Sequence, residues 1–294
     1  MKILIAISSK EYSEPTLDVG MKISRSLKAS TTIVDVGNKI SEFSSKDVSM
    51  ANELMKSWDI DRPGVDVLEW AYNYLAENNY IRGQTIESGF PKNRLIESSS
   101  GRSEVFLKES SVENLSLILR NGDIIEELRD EVNSHEYDVT ILGGSRKRNM
   151  AHDLVQYIDS SIFVVNNFNA KEKYRILLAV NDSPGTSNAV KYGVRVAQAF
   201  NIEVDLLTIS RNEHFGYGYK KASSWASKLL RRSGVKAKAH FKTGDFANTI
   251  VEAAGNNHII IMGSSSQSPI TKFFMGSKPL SVMQTCNCPV LIVK

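Results

Sequence analysis

The sequence lacks several features that would place a protein in a specialised class. It has 294 residues but only two cysteines, Cys286 and Cys288, which argues against a scaffold stapled by disulfides. Cysteines separated by one residue are poor disulfide partners within a regular element, so we expect buried thiols. No uninterrupted apolar run reaches about 18 residues, and no charged-then-apolar leader is present. These absences predict a cytoplasmic protein with no membrane association.

A strong charge of one sign is also missing. The chain has 36 basic and 33 acidic residues, and its net charge of +3 is too mild to indicate nucleic-acid binding. One local exception is a basic cluster in the second half of the chain, formed by Lys220, Lys221, Lys228, Arg231, Arg232, Lys236 and Lys238. A solvated helix face explains this cluster most simply, and a surface for nucleic acid or another anionic partner is the open alternative.

Catalytic and metal-binding patterns are weak. The five histidines are His135, His152, His214, His240 and His258, and none of them has metal-ligand spacing. No Gly-x-Ser-x-Gly turn has a matching set of catalytic partners. His258 directly precedes an apolar run and is interpreted as a residue at the start of a strand rather than an acid or base. We therefore predict no catalytic residues and no metal ligands.

What the sequence does contain is an internal repeat. Lys2–Ile7 matches Arg175–Val180, and the similarity resumes where Gly122-Asp123-Ile124 matches Gly244-Asp245-Phe246. It ends where Ile162–Val165 matches Val290–Val293. The first half carries an insertion at about residues 37–102 and has lost about eight residues after Gly143.

Each half alternates apolar strands with segments of helical spacing, which is typical of a parallel sheet covered by helices on both faces. In the second half we predict strands at 176–180, 204–209 and 258–262, and helices at 188–200 and 279–285. The predicted fold class is α/β, with two tandem Rossmann-like domains at residues 1–170 and 171–294. Each domain is long enough to have its own core.

A glycine- and serine-rich loop follows the last of these strands. It runs from Met262-Gly263 through Ser266 to Gly276-Ser277-Lys278, between a buried strand and a helix with Pro279 in its first turn. Free N–H groups at a helix start favour an anion, and glycine lets a phosphate approach the main chain. The loop is not a Walker A sequence, and a strand-to-helix turn can contain glycine for the turn alone.

On these motifs the second half resembles a universal stress protein domain over its whole length, and the chain resembles the tandem form of that family. The resemblance implies a fold like that of the adenine nucleotide alpha hydrolases. The family's nucleotide motif is Gly-x2-Gly-x9-Gly-Ser/Thr, and this chain has Gly263, Ser266, Gly276 and Ser277 at those positions. Ser266 departs from the motif, and its Cβ would crowd a phosphate if the backbone needs φ > 0.

The resemblance also implies the ligand and the rest of its site. The ligand is ATP, or a related adenine nucleotide, together with Mg²⁺. Asn181 stands where the family has an aspartate, Ile209 matches the position that packs on adenine, and Met262 precedes the first glycine. The complete expected set is Ala179, Val180, Asn181, Ile209, Met262, Gly263, Ser266, Gly276, Ser277 and Lys278.

The first half departs further from the family pattern. Gly143 keeps the first glycine of the motif, but the deletion removes the later Gly-Ser pair, and Ser8 stands at the aspartate position. We therefore expect no nucleotide site of the family type there. The basic run 146–148 is interpreted as a solvated face. The insertion is predicted to form one or two helices and a loop, whose aromatic residues either cover the domain's own core or bind a partner.

Together these features predict a regulatory adenine-nucleotide-binding protein of the stress response. The two domains are expected to pair as an intramolecular pseudo-dimer through Ile162–Val165 and Val290–Val293, as the family pairs its domains through the last strand, and whole chains could associate further as a homodimer. Two alternatives stay open. One is a nucleotide-free interaction protein that acts through the insertion, and the other is a slow ATPase.

Overall fold

The computed structural model describes residues 1–37, 63–92, 95, 101–144, 154, 157–264 and 278–294. These residues form two compact units, Met1–Tyr137 and Asp138–Lys294. The boundary follows Tyr137, whereas the sequence repeat predicts a boundary at residue 170. The unit that contains the second repeat therefore also includes the last two strands of the first repeat.

The first unit contains the strands β1 (Lys2–Ile7), β2 (Ser30–Gly37), β3 (Ser103–Leu107) and β4 (Leu115–Asn121), and the helices α1 (Lys10–Leu27), α2 (Val65–Glu77), α3 (Gln84–Glu87) and α4 (Ile124–His135). Its strand order is β3-β4-β2-β1. β1, β2 and β4 are parallel, and β3 runs antiparallel to β4 at the edge.

The second unit contains the strands β5 (Val139–Gly143), β6 (Ser161–Val165), β7 (Arg175–Ala179), β8 (Val204–Ser210), β9 (Ala237–Thr243), β10 (His258–Gly263) and β11 (Val290–Val293), and the helices α5 (Gly185–Phe200), α6 (Tyr217–Arg232), α7 (Phe246–Ala254) and α8 (Lys278–Thr285). Its strand order is β5-β6-β11-β10-β7-β8-β9. All neighbouring strands are parallel except β6 and β11.

The strands and helices predicted for the second repeat are confirmed, with ends that differ by one to three residues. β11 and β6 pair antiparallel, with Leu291 opposite Phe163. These are the two strands through which the repeats were expected to associate. The association of the repeats as a pseudo-dimer, and any homodimer of chains, stay predictions.

The central strands β7, β10 and β11 are almost entirely buried, and apart from Arg175 and His258 at the first positions of β7 and β10 they contain no charged or polar side chain. Every residue of β11 is buried, as are all but the last residue of β10 and all but the first of β7. Continuous burial is typical of parallel strands between two helix layers. This arrangement confirms the predicted α/β class.

The described part of the insertion includes α2 and α3. Val65, Leu68 and Ala71 are buried on one side of α2, as the helical spacing predicts. Tyr72 and Tyr80 are also buried, at 3% exposure each. For these two aromatic residues, the interpretation that the insertion covers the domain's own core is correct. β3, just beyond the insertion, was not predicted.

Candidate nucleotide-binding site

The carboxyl ends of β7 and β10 lie side by side in the second unit. The two strands are parallel, with Ile261 opposite Leu178, and β8 lies on the other side of β7. The chain leaves β7 towards β8 and β9, and then returns past β7 to β10. Ligands of open α/β sheets bind in the crevice at such a reversal of strand order. The strand order alone therefore points to the edge where the sequence motif lies.

Asn181 follows β7 at this edge, and its side-chain carbonyl organises the start of α5. The Oδ1 atom accepts hydrogen bonds from the Ser183 N–H (3.0 Å), the Ser183 hydroxyl (2.6 Å) and the Thr186 hydroxyl (2.6 Å). Because the backbone N–H of Ser183 requires an acceptor, the orientation of the amide is fixed. The Nδ2 group has no partner within the described part of the chain and can donate to a ligand. Thr186 was missed from the sequence, although the spacing Asn-x-Ser-x-x-Thr after a strand signals this local turn.

Gly263 ends β10 and lies close to the backbone of Gly185, the first residue of α5. A Cβ atom at Gly263 would lie 2.6 Å from the carbonyl carbon and oxygen of Gly185. In return, a Cβ atom at Gly185 would lie 2.6 Å from the carbonyl oxygen of Ser264. These two glycines let the start of α5 approach the end of β10 through their main chains. Gly263 therefore has a packing role whether or not it contacts a phosphate, and Gly185 is a second residue that the sequence did not single out.

We expect Gly263→Ala to lower the free energy of unfolding by about 1–3 kcal/mol, as overpacking does in a tight interior. The added methyl group must displace the Gly185 backbone, which cannot rotate away as a side chain can. Thermal and urea denaturation of the full-length chain will measure the loss. The matched control is Gly216→Ala, whose added Cβ would lie 4.0 Å from its nearest neighbour, a carbon of the Tyr219 ring. An equal stability change in both variants would contradict the packing role.

The remaining predicted residues divide into buried and accessible groups. Val180 and Met262 are each 2% exposed and Ala179 is 9% exposed, so their side chains belong to the core. Ile209 is half-buried near the end of β8, where an apolar side chain is open to a ligand. Lys278 begins α8, and its ammonium lies 5.2 Å from the centre of the Phe246 ring. Ser266, Gly276 and Ser277 lie outside the described residues.

A polar cluster around Asp205 lies at the opposite, amino end of the same strands. Its carboxylate accepts bonds from Arg175 Nε (2.6 Å) and faces His258 Nε2 (3.2 Å) and His240 Nε2 (3.3 Å). Burial raises the pKa of Asp205, but the bonds from Arg175 and His258 outweigh burial and lower this pKa to about 2. His258 is 9% exposed, and its Nδ1 lies 2.7 Å from the Ala254 carbonyl oxygen. This geometry agrees with a structural role for His258 at the start of β10.

The cysteines, possible metal ligands and long helices were also considered in the sequence, and the structure bears on each of them. Both cysteines are free and buried, as expected, and the Cys288 thiol donates to the Gly255 carbonyl oxygen (3.0 Å). Among the described residues, no group of three or more His, Cys, Asp or Glu side chains could hold a metal ion. No described helix has both the length and the apolar character needed to span a membrane. The basic run 146–148 of the first repeat lies outside the described residues.

Comparison with known proteins matches residues 174–294 to the model of the universal stress protein family. A universal stress protein from Methanocaldococcus jannaschii is 28% identical over 160 residues, which are 48% of this chain and 92% of that protein. The matched family region coincides with the second repeat, which contains the complete glycine- and serine-rich loop.

Solved structures extend the likeness to the whole chain. The crystal structure of a universal stress protein from Archaeoglobus fulgidus covers 100% of this chain and 96% of its own, with a TM-score of 0.59 and 14% identity. This likeness concerns the fold. A shorter universal stress protein solved in complex with cAMP matches 42% of this chain and 98% of its own, at 20% identity and a TM-score of 0.37.

Proposed function

We propose that the second repeat, which matches the universal stress protein family model over residues 174–294, binds ATP or a related adenine nucleotide as a regulatory ligand. The observation that carries the proposal is the coincidence of the family's glycine motif with the reversal of strand order between β7 and β10. The motif begins at Gly263, at the carboxyl end of β10, beside the loop that starts α5.

The described residues offer suitable partners for a nucleoside at this edge. The Asn181 Nδ2 group is a donor for a ribose or adenine acceptor, and the half-buried side chain of Ile209 gives the adenine ring an apolar surface. Because the Asn181 carbonyl is already engaged by Ser183 and Thr186, this side chain would contact the ligand as a donor. An aspartate at the same position could only accept when ionised.

The phosphates would be held by main-chain N–H groups. In this proposal Ser266, Gly276 and Ser277 supply the amides and the hydroxyl that the family motif implies, and Lys278 adds a positive charge at the start of α8. Mg²⁺ would neutralise part of the phosphate charge. No residue is assigned the role of a catalytic base, so the proposed activity is binding and not turnover.

We expect the purified full-length chain to bind one ATP, because the first repeat lacks the Gly-Ser pair that ends the motif. Titration calorimetry with Mg²⁺-ATP measures both affinity and stoichiometry. Gly276→Val should weaken binding at least about 100-fold, since a side chain there would occupy space that the phosphate needs.

Three controls make this experiment decisive. Circular dichroism and the melting temperature of Gly276→Val should match those of the unchanged chain. GTP tests selectivity for adenine, and phosphate release in the presence of Mg²⁺-ATP tests for an ATPase. Failure to bind at millimolar ATP, or unchanged affinity in a folded Gly276→Val variant, would refute the proposed site. Two nucleotides per chain would show that the first repeat is not degenerate.

A further inference from the structure

β9 forms a free sheet edge in the second unit. It ends the strand order after β8, and all seven of its residues, Ala237–Thr243, are exposed. Within the described residues no strand pairs with its outer edge. An exposed edge strand of this length presents a row of unpaired N–H and C=O groups, which is a template for a further strand.

The first repeat has a covering strand at the equivalent position. β4 is the counterpart of β9, because each lies beside the second strand of its repeat and is followed by a Gly-Asp pair and a helix, Gly122-Asp123 in one case and Gly244-Asp245 in the other. β3 pairs antiparallel with β4, with Leu107 opposite Leu115 and Ser103 opposite Leu119. β4 lies between β2 and β3 and packs against α2, and all but its last residue are buried. The described part of the second repeat contains no counterpart of β3.

The two faces of β9 differ in chemistry, and both adjoin positive charge. Lys238, His240 and Lys242 alternate on one face and line a cavity of about 380 Å³ with Arg175. The acidic residue of that cavity, Asp205, is already bonded to Arg175. On the other face, Ala237, Ala239 and Phe241 line a groove of about 720 Å³ against α6. The basic residues of this groove are Lys220, Lys228, Arg231 and Lys236.

We propose that the free edge of β9 binds an extended acidic segment of a partner protein, which adds to the sheet as an antiparallel strand. The alternation along β9 specifies the pattern of that segment. Acidic side chains would lie beside Lys238, His240 and Lys242, and small or branched apolar side chains would lie beside Ala237 and Ala239. β3 shows the same type of alternation, since Ser103, Val105 and Leu107 are buried whereas Glu104 and Phe106 are not.

Charge distinguishes this occupant from a second copy of the chain. Two β9 strands paired antiparallel about His240 would place Lys238 of each copy opposite Lys242 of the other on one face. Like charges on facing strands are destabilising, whereas opposite charges stabilise the pair. Charge complementarity therefore favours an acidic strand. This surface lies away from the proposed nucleotide loop in sequence, and its test does not depend on ATP binding.

The experiment uses the full-length protein and a fluorescently labelled peptide of alternating Glu and Val with blocked ends. Saturable binding is expected by fluorescence anisotropy. Hydrogen exchange should show new protection in β9, at the N–H groups that face away from β8. The double variant Lys238→Glu/Lys242→Glu should bind about tenfold more weakly, because cross-strand attractions become repulsions. The matched control Lys171→Glu/Lys191→Glu makes the same change in charge at exposed positions elsewhere and should leave affinity unchanged.

Two altered peptides separate strand addition from simple charge attraction. Replacing every Glu with Lys should abolish binding, and N-methylation of alternate Val residues should do the same because it removes backbone donors at unchanged charge. Absence of binding by the Glu-Val peptide would overturn the proposal. So would equal binding of the N-methylated peptide, or binding without new protection in β9.

Two further outcomes would assign the edge to another occupant and overturn the proposal. Tighter binding of a single-stranded oligonucleotide than of the peptide, without protection of β9, would indicate a nucleic-acid surface. Concentration-dependent dimerisation in which the β9 amides become protected would show that the edge pairs with a second copy.

Discussion

Glu131→Ala is expected to lower the free energy of unfolding of the first unit by about 3–5 kcal/mol, the usual cost of removing one partner from a buried ion pair. Glu131 lies on α4 and is 0% exposed. Its carboxylate contacts Arg120 Nη1 (3.0 Å), Arg102 Nε (3.3 Å) and the Tyr137 hydroxyl (3.0 Å). With alanine at position 131, Arg102 and Arg120 would each lose one carboxylate partner. Arg120 is only 8% exposed, so its guanidinium would stay buried after this loss.

Native-state hydrogen exchange at α4 and β4 is the suitable measurement, because a chain with two compact units need not unfold in one step. The matched control is Glu126→Ala on the same helix, where the side chain is exposed. Its expected effect is within about 0.5 kcal/mol. If Glu131→Ala costs no more than this control, the two arginines are hydrated well enough to need no partner.

This network illustrates what the sequence could not predict. Glu131, Arg102 and Arg120 are separated in the chain, and nothing in the local pattern indicates that this glutamate is buried whereas Glu126 is exposed. Helical spacing predicts α4 but not which charged residues face the sheet. The strand β3 was missed for a related reason. It exists through its pairing with β4, which only the folded chain brings alongside.

The repeat was a stronger source of information. It predicted β7, α5, β8, β10 and α8, because buried parallel strands and amphipathic helices have distinct periods. The family resemblance, and not the repeat, implied Asn181, Ile209 and Gly263 as site residues, and the structure places each of them at or just beyond the carboxyl end of a parallel strand. The repeat could not predict the contact between Gly263 and Gly185, which depends on how closely the start of α5 approaches the end of β10. Nor did it separate the buried Met262 and Val180 from the accessible Ile209.

The boundary between the compact units does not coincide with the boundary between the sequence repeats. Sequence similarity places β5 and β6 in the first repeat, but they belong to the second unit, where β6 pairs with β11. A repeat records which segments are similar, whereas a compact unit depends on which strands pair. The same distinction applies to β9 and β4, which occupy equivalent places in the two repeats but differ in exposure: β4 pairs with β3 and packs against α2, whereas β9 has no strand on its outer edge among the described residues.

We expect Asp35 to make the free energy of unfolding depend on pH. It lies near the carboxyl end of β2 and is 3% exposed. Burial and the nearby charge of Asp66 raise the pKa of Asp35 from 3.8 to about 7, although a hydrogen bond from the Val36 backbone opposes the shift. The folded protein therefore keeps a proton on Asp35 at pH values where the unfolded chain has lost it.

The sign follows from this difference in bound protons. Between pH 3.8 and about 7 the folded state binds more protons than the unfolded state, so the free energy of unfolding falls as the pH rises through this window. Each pKa unit corresponds to about 1.4 kcal/mol, so the loss at pH 8 is on the order of 4 kcal/mol. Asp35→Asn removes the titration and keeps a side chain of similar shape. It should be about as stable as the unchanged chain at pH 4 and more stable by up to that amount at pH 8.

Urea denaturation of both proteins from pH 4 to pH 8, followed by hydrogen exchange in β2, will test this prediction. Asp130→Asn makes the same change in charge at an exposed position of the first unit and should show no such pH dependence. A constant difference between Asp35→Asn and the unchanged chain at all pH values would mean that Asp35 does not titrate differently in the two states. A difference that grows from pH 4 to pH 8 would identify a buried carboxyl that costs stability, in the repeat that has lost the end of its glycine motif.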